Sequence, residues 1–380
     1  MGNSNNDEII SSVSPHTIKK FELIEAYVVA WAHKLLEYGR HSGNCSGIVF
    51  IDCMCNSGVY RNEETREIVE GTPIRVARVL ADIMREQNYQ AQQAWLYFND
   101  LSQAKITELK KHLPEDTHNL HIYPSIGDGN DLLKRIGSKL TPQTKIHYLL
   151  VYDPFQATID WVALLPFIRN WGEIILNHMV SDSIRAVSQA KRPATISKYE
   201  STYLAKIEDL IDFGSDRDAF EQRIRDIITV LNGENHKRYY IASYPFFNSR
   251  NSVVYNLLHC TSNIEGFKLY KSTAWSTFGD RSSGKKPTKI DPNQLTFDFS
   301  ADTSEPVMTT TTDDSCYYVQ DIVKFVIATF SGKVDVPLTV IWTALDEHPV
   351  FPSDLYKTRI KELLKEQGYK VHRSSIDFVV

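Results

Sequence analysis

A short run of apolar residues followed by a polar turn stands out near the start of the chain. The run from Ile48 to Ile51 is bounded on both sides by residues that favour turns. A continuous apolar run of this length is typical of a strand buried on both faces, as in a parallel sheet. Asp52 ends the run, and Asn56, Ser57 and Gly58 follow closely. The pattern therefore predicts a strand that carries a carboxylate into a tight turn.

Strand-like apolar runs alternate with amphipathic helical stretches along most of the chain. The predicted strands, in order, are Ile48–Ile51, Ala94–Phe98, Leu120–Tyr123, Ile146–Tyr152, Glu173–Leu176, Tyr239–Tyr244 and Ser252–Cys260. Alternation of strands and helices up to about residue 190 predicts a mostly parallel sheet. The last two runs are separated by only a short connection, which favours an antiparallel pair. The predicted fold class is α/β, with a Rossmann-like sheet that is parallel apart from a late antiparallel strand.

Composition divides the chain into several parts. Residues 1–14 are polar and are predicted to be disordered. Residues 15–278 form the predicted α/β domain, interrupted by a helical insertion at about 190–235. Residues 279–316 are rich in Ser, Thr, Asp, Lys and Pro and are predicted to be a linker. Residues 317–380 contain three helical stretches and a short hairpin, the pattern of a winged helix-turn-helix domain.

Composition and charge narrow the class of protein. The chain has 380 residues, of which 42% are hydrophobic and 23% charged, as in ordinary globular proteins. A net charge of -5 argues against a generally basic nucleic-acid-binding protein but leaves room for a local basic face. The five cysteines show no zinc spacing, and we expect a metal-free protein in the reducing cytoplasm. Neither a signal peptide nor an apolar run long enough to span a bilayer is recognisable in the sequence.

The turn after the first strand predicts the kind of cofactor. A dinucleotide site needs Gly-x-Gly-x-x-Gly, whose amides face a pyrophosphate, and only Gly58 is present here. A carboxylate at Asp52 repels phosphate but suits a cation, and S-adenosylmethionine carries an ammonium and a sulfonium without phosphate. We expect Gly58, which lacks a Cβ, to let the backbone approach the ligand, and Asn56 to adopt a left-handed conformation. Met54 lies in the same turn and is assigned to the cofactor site with them. An ordinary turn in which Asp52 caps the backbone is the alternative.

Three further segments supply candidate site residues at the ends of predicted strands. Asp100 is placed to accept hydrogen bonds from ribose hydroxyls, with Asn99 as second choice and a helix N-cap as the alternative role. Asp128, within Gly-Asp-Gly, is a candidate for the adenine amino group or for a turn and cap. Asp153-Pro154-Phe155 ends the fourth strand and is the predicted catalytic segment. Asp153 would orient or deprotonate an acceptor, Pro154 would fix the turn, and Phe155 would stack on a planar acceptor.

These motifs resemble those of the three-Cys-motif partner proteins, a bacterial and phage-associated family similar to class I methyltransferases. The resemblance covers about residues 15–275. The family's aspartate and Phe-Ala-Gly-Pro-Gly type turn match Asp52 to Gly58, although Asn56 and Ser57 replace the first glycine and the proline. The family's Gly-Ser-Pro helix start matches the segment at residues 71–73.

The later motifs of the family follow in the same order. Its second-strand acid falls on Asp100, and its Asp-Pro-Phe-Gly falls on residues 153–156, with Gln156 in place of the glycine. Its Asn and Arg after the fifth strand match Asn177 and Arg185. The resemblance implies a partner protein with three clustered cysteines and defines no methyl acceptor.

Two functions from different classes are compatible with the sequence. The first is a methyltransferase that uses S-adenosylmethionine, with a nucleic acid base as the acceptor. The second is a non-catalytic adaptor with a degenerate methyltransferase fold, which binds nucleic acid or a protein partner through its winged helix. The third C-terminal helix carries basic residues among acidic ones (Lys357, Arg359, Lys361 and Lys365 against Asp354, Glu362 and Glu366) and favours neither function alone.

Overall fold

The computed structural model describes residues 9–140, 145–154, 157–170, 172–233, 238–286 and 316–379. The strands are β1 (Ser11–Val13), β2 (Gly47–Asp52), β3 (Val59–Asn62), β4 (Ile68–Glu70), β5 (Gln93–Asp100), β6 (Leu120–Ile126), β7 (Ile146–Tyr152), β8 (Gly172–His178), β9 (Tyr240–Phe247), β10 (Val253–Thr261), β11 (Val336–Pro337), β12 (Lys370–Val371) and β13 (Ser375–Asp377).

The helices alternate with the strands over the first half of the chain. They are α1 (Pro15–Ser42), α2 (Thr72–Arg85), α3 (Gln103–Lys110), α4 (Gly129–Gly137), α5 (Trp161–Arg169), α6 (Val180–Ser188), α7 (Pro193–Tyr203), α8 (Ile207–Asp212), α9 (Arg217–Asn232), α10 (Ile264–Phe278), α11 (Val319–Phe330), α12 (Leu338–Glu347) and α13 (Lys357–Glu366). A short 3-10 helix, Gln87–Tyr89, follows α2.

The central sheet has seven strands in the order β6-β5-β2-β7-β8-β10-β9. The strands from β6 to β8 run parallel, and β10 is antiparallel to both β8 and β9. Strand order reverses at β2, because the chain builds outward to β5 and β6 before it returns to β7 on the other side. The predicted mixed α/β sheet with a late antiparallel strand is therefore confirmed.

Two hydrophobic cores cover the two faces of this sheet. Along β2, Phe50 is buried in the core under α1, α2 and α10, whereas Ile51 is buried in the core under α5 and α9. Alternate residues of a strand point to opposite faces, so a strand buried on both sides reads as one uninterrupted apolar run. This is the pattern from which the strand was predicted.

Two segments predicted without regular structure contain strands. Residues 1–8 lie outside the described residues, but Ser11–Val13 forms β1, so the prediction of disorder up to Ser14 is wrong there. β1 pairs in parallel with β3, which in turn pairs with β4, so the charged stretch from residue 61 to 69, where no strand was predicted, forms a hairpin. Its half-exposed strands lack the apolar runs that identify buried strands.

Two residues of types that often cap helices do not do so here. Helix α2 begins at Thr72 and is preceded by Gly71, so Thr72 is the first helical residue and does not cap the helix. Helix α13 begins at Lys357, and the buried Ser353 instead donates its hydroxyl hydrogen to the Asp346 carboxylate. The helices predicted at 191–213 and 216–231 are present as α7, α8 and α9.

The last 64 described residues form three helices, α11 to α13, and a small antiparallel sheet in the order β11-β13-β12. Their apolar side chains belong to the same continuous core as α1 and α10 of the α/β domain. Trp275 and Tyr244 both donate to the carbonyl oxygen of Val350, at 3.0 and 2.8 Å. The predicted linker is held at both ends, because Arg281 bridges to Tyr318. Its residues 287–315 lie outside the described residues.

Lys271 of α10 joins the two parts most closely. Its side chain is fully buried, and its ammonium donates to the carbonyl oxygens of Leu345, Asp346 and His348 at 2.8, 2.8 and 2.7 Å. These carbonyls lie at the end of α12, where a cation is favoured by the helix dipole and by otherwise unpaired acceptors. In the described part of the chain, none of the helices is both long and apolar enough to cross a membrane.

Lys271→Met tests whether this contact holds the C-terminal helices in place. The methionine keeps most of the volume but leaves three buried carbonyl oxygens without their donor. We expect the free energy of unfolding in urea to fall by about 1–3 kcal/mol. Lys110→Met, at an exposed position on α3, is the matched control and should leave it unchanged. Equal stability of the two variants would contradict this role.

Candidate functional site at the carboxyl edge of the sheet

The turn after β2 has the local conformation that the sequence predicted. Asn56 has a φ of 60° and Gly58 a φ of 71°, both in the left-handed region. A Cβ on Gly58 would lie 2.8 Å from Leu109 Cδ1 and 2.9 Å from Ile74 Cδ1, which are both fully buried. The space beside Gly58 is thus filled by side chains of α2 and α3, whereas the prediction assigned this space to a ligand.

The backbone amides of this turn are already hydrogen bonded within the protein. Met54 N donates to Asp52 Oδ1 at 3.3 Å, and Cys55 N donates to the carbonyl oxygen of Asn99 at 2.8 Å. Asn56 N donates to Asp100 Oδ2 at 3.1 Å, and Ser57 N donates to the Asn56 side-chain oxygen at 2.7 Å. Residues 54–57 therefore present no row of free amides, which is the feature that a phosphate-binding turn requires.

Asp52 is the most buried carboxylate at this edge of the sheet. Its side chain follows β2, and only 4% of the residue is exposed. Burial, and next the negative charge of Asp153, raises its pKa to about 7, while the Met54 amide and Lys20 act in the opposite direction. A buried carboxylate that remains half protonated near neutral pH lacks a full countercharge.

Asp153, at the end of β7, is held by two partners. The Lys20 ammonium of α1 forms an ion pair with its Oδ2, and Asn177 Nδ2 at the end of β8 donates to its Oδ1 at 2.5 Å. Only 5% of Lys20 is exposed, although a lysine near the start of a helix usually lies in solvent. Lys19 pairs with Glu22 on the same helix.

The remaining predicted acids also have partners in the protein. Both oxygens of Asp100 accept backbone amides, Oδ2 from Asn56 and Oδ1 from Ser102 at 2.8 Å. The exposed Asp128 caps α4, and its Oδ1 accepts from the amides of Asn130 and Asp131 at 2.8 and 3.1 Å. The cap role of Asp128 is therefore present, whereas Ser102 and not Asp100 caps α3. Both oxygens of Asp100 and Oδ2 of Asp128 retain a lone pair for a further donor.

Other predicted residues lie at or near this edge in different roles. Asn99 is buried and ties the turn to the next loop, since its Nδ2 donates to the carbonyl oxygens of Cys53 and Gly127 at 3.2 and 2.8 Å. Half-buried Met54 lies beside Gly129. Pro154 is buried, and Phe155 lies outside the described residues. Arg185 is exposed and pairs with Asp182, away from the carboxylates.

Two tyrosines that the sequence did not single out line the acidic cluster, which we define as Asp52, Asp100 and Asp153. Burial, followed by the charges of Asp52 and Asp153, raises the pKa of Tyr60 well above its usual value. The Lys20 ammonium lies 5.2 Å from the ring centre of Tyr255, whose hydroxyl donates to the carbonyl oxygen of His16 at 3.3 Å. Nothing in the local sequence indicated that Lys20 or Tyr255 belongs to the site, because their contacts join positions far apart in the chain.

A cavity of about 360 Å³ lies beside the start of α1 and the end of β9. It begins at His16, whose ring packs 5.8 Å from that of Tyr255. Aromatic side chains and charges of both signs line it: Ser14, Pro15, His16, Lys19, Glu63, Glu64, Phe246, Phe247, Asn248, Ser249, Phe278, Arg281, Gly284 and Lys286. Tyr255 links this lining to the acidic cluster, because its ring packs 5.0 Å from that of Phe246 and 5.2 Å from the Lys20 ammonium, which pairs with Asp153.

The fold and the position of the cluster define a class. A seven-stranded sheet with this strand order and one late antiparallel strand is the arrangement of class I methyltransferases. The acids lie at the carboxyl ends of β2, β5 and β7, where the strand order reverses and open α/β sheets bind their ligands. The chain therefore has a class I methyltransferase-like α/β fold.

Comparison with known proteins gives weak likenesses to solved structures. No family model matches the chain, and no curated protein matches it in sequence. Protein LPL1258 from Legionella pneumophila is 13% identical, with 68% of this chain and 92% of that chain covered and a TM-score of 0.36.

Two further solved structures are methyltransferases. An O-methyltransferase from Bacillus cereus in complex with SAH is 10% identical, with 61% and 80% of the two chains covered and a TM-score of 0.29. The methyltransferase domain of bacterial CtHen1 is 9% identical, with 63% and 99% covered and a TM-score of 0.26. At these TM-scores, the likenesses say nothing about what this chain binds.

Asp52→Asn should stabilise the protein in a pH-dependent manner. A folded-state pKa of about 7, raised from 3.8, means that the folded protein retains a proton that the unfolded chain has lost between these values. The free energy of unfolding therefore falls as pH rises through this window, and the full penalty applies above pH 7. The asparagine can still accept from Met54 N and carries no charge.

We expect the melting temperature of Asp52→Asn to exceed that of the wild type by several degrees at pH 8. The stabilisation should be on the order of 2–4 kcal/mol at pH 8 and should vanish towards pH 4. Asp82→Asn, an exposed carboxylate on α2 paired with Arg85, is the control and should show no such trend. A destabilised Asp52→Asn at pH 8 would show that the charge is already compensated in the folded protein.

Proposed function

We propose that the chain is a methyltransferase of the three-Cys-motif partner type that uses S-adenosylmethionine. The observation that carries this proposal is the acidic cluster, in which three carboxylates meet one lysine. Such a site favours a cationic ligand and disfavours phosphate. The sulfonium and ammonium of S-adenosylmethionine provide the missing positive charge, so the residues present fit the cofactor.

Each acid has a separate task in this proposal. Asp52, with the turn containing Met54 and Asn56, faces the charged end of the cofactor. Asp100 accepts from the ribose hydroxyls and Asp128 from the adenine amino group. Because Gly58 is packed against the core, it maintains the shape of the turn and does not contact the ligand.

Asp153 acts on the acceptor. When bound, the cofactor supplies an electrophilic methyl group, and the protein has to align an acceptor nucleophile with it. Lys20 and Asn177 fix the two carboxylate oxygens of Asp153, which orients the carboxylate. The carboxylate can then hold the acceptor by its N–H or O–H group and receive its proton. Lys20 and Asn177 are positioning residues in this arrangement.

We further propose a nucleic acid base as the acceptor. The cavity beside Tyr255 combines Phe246, Phe247 and Phe278 with Lys19, Arg281 and Lys286, a set that suits a planar base and its phosphates. The C-terminal helices are proposed to form a winged helix. Its helix α13 places Lys357 and Lys361 each 5.8 Å from the Trp342 ring centre, forming a small basic and aromatic face.

The alternative function is a non-catalytic adaptor that binds nucleic acid or a three-cysteine partner protein through the same face. The bonded amides of residues 54–57 and the partners of Asp100 and Asp153 favour it, because these groups already have a use within the protein. The two functions differ in what Asp153 does, since an adaptor has no need of a proton acceptor at the end of β7.

The test measures cofactor binding and methyl transfer by the wild-type full chain and by its variant Asp153→Asn. We expect S-adenosylmethionine to bind the wild type in calorimetry, and labelled methyl groups to appear in a mixed RNA or DNA acceptor. Asp153→Asn should retain cofactor binding and lose at least about 100-fold in transfer rate. Asp82→Asn is the control with unchanged transfer. No cofactor binding by the wild type would contradict the methyltransferase, and binding with transfer unaffected in Asp153→Asn would contradict the role of Asp153.

A further inference from the structure

The acidic cluster is suited to bind positively charged ligand groups and repels negatively charged ones. Around Asp52, the charges with the greatest effect on its carboxyl are those of Asp153, Lys20 and Asp100. With all three acids ionised, these four side chains sum to a charge of -2. The single cation is already committed, since Lys20 is buried against Tyr255 and paired with Asp153.

A ligand carboxylate finds no free amide at residues 54–57 of the turn. The amides of residues 54–57 all donate within the protein, and the last of them is satisfied by the side chain of Asn56 itself. If residue 56 were glycine, that side chain would be absent and the Ser57 amide could donate to a ligand. The side-chain oxygen of Asn56 thus takes the place that an anionic ligand group would occupy at this amide.

Asn177 provides an independent indication that the missing ligand group is a donor. Only 4% of this residue is exposed, and its Nδ2 donates to Asp153, so its Oδ1 is the remaining acceptor. That Oδ1 is buried without a hydrogen-bond partner. An unpaired buried acceptor next to a carboxylate cluster matches an ammonium group and not a second carboxylate.

We propose that this site prefers adenosyl sulfonium ligands that lack a carboxylate, with decarboxylated S-adenosylmethionine bound more tightly than S-adenosylmethionine. The preference rests on the proposed function, because it assumes that the crevice binds an adenosyl sulfonium at all. Decarboxylated S-adenosylmethionine carries two positive charges, which match the charge of the cluster. The additional carboxylate of S-adenosylmethionine reduces the net charge of the ligand to one. It would meet three acids, while Lys20 is already paired and the amides of residues 54–57 already donate within the protein.

The experiment compares three ligands by calorimetry with the full chain at low and high salt. Decarboxylated S-adenosylmethionine should bind at least about tenfold more tightly than S-adenosylmethionine, and S-adenosylhomocysteine, with no net charge, should bind most weakly. The preference should shrink as salt increases. It should also shrink in Asp52→Asn, and the control Asp82→Asn should keep it.

Asn56→Gly provides a second, independent variant that the left-handed turn accommodates. Opening the Ser57 amide should improve the affinity for S-adenosylmethionine more than that for the decarboxylated ligand, which has no carboxylate to accept from this amide. Tighter or equal binding of S-adenosylmethionine by the wild type would overturn the proposed preference while the proposed function stands. Failure of all three ligands to bind would instead overturn the proposed function.

Discussion

Three carboxylates with one lysine at the tip of a parallel sheet are the constraint on which the rest of the site depends. Strand register brings them together. Asp52 is level with Phe98 of β5 and Val151 of β7, and Asp100 and Asp153 each lie two residues further on. Because side chains alternate between faces, residues two apart point the same way. All three acids therefore point to the face of the sheet that α1 covers.

Helix α1 supplies the countercharge on that face. Its burial between β2, α2 and α10 places Lys20 at Asp153, where the ion pair is shielded from water and weakly screened. Burial raises the pKa of Asp52 most, and the charge of Asp153 raises it further, because one lysine does not neutralise three acids. A buried carboxylate without a full countercharge lowers the stability of the fold. Groups of this kind are concentrated at binding and catalytic sites.

The sequence allowed the sheet and most of the acidic site to be predicted. The strands were recognisable because burial on both faces makes them uninterrupted apolar runs, and Asp52, Asp100 and Asp153 follow such runs directly. The left-handed Asn56 was also predictable from local chemistry. Hairpin β3–β4 was not predicted, because its strands are half exposed and charged and therefore lack an alternation of apolar and polar residues.

Long-range packing accounts for what the sequence did not show. Lys20 reads as a solvated residue at a helix start, and its contact with a residue 133 positions away depends on how α1 docks. Gly58 was correctly expected to need the absence of a Cβ, but Ile74 and Leu109 occupy the space, and local sequence cannot distinguish a ligand from a core side chain. The C-terminal helices read as a separate domain, yet Lys271 and Trp275 attach them to the core of the α/β domain.

Proton release on ligand binding tests the account most directly. A cation beside Asp52 should return its pKa towards the usual value, so the carboxyl group gives up its proton when the ligand binds. Calorimetry of S-adenosylmethionine binding at pH 7, in two buffers of different ionisation enthalpy, should show about half a proton released by the wild type. The release should be absent in Asp52→Asn. Binding without proton exchange, or with the same release in Asp52→Asn, would contradict a cation-seeking carboxylate at the end of β2.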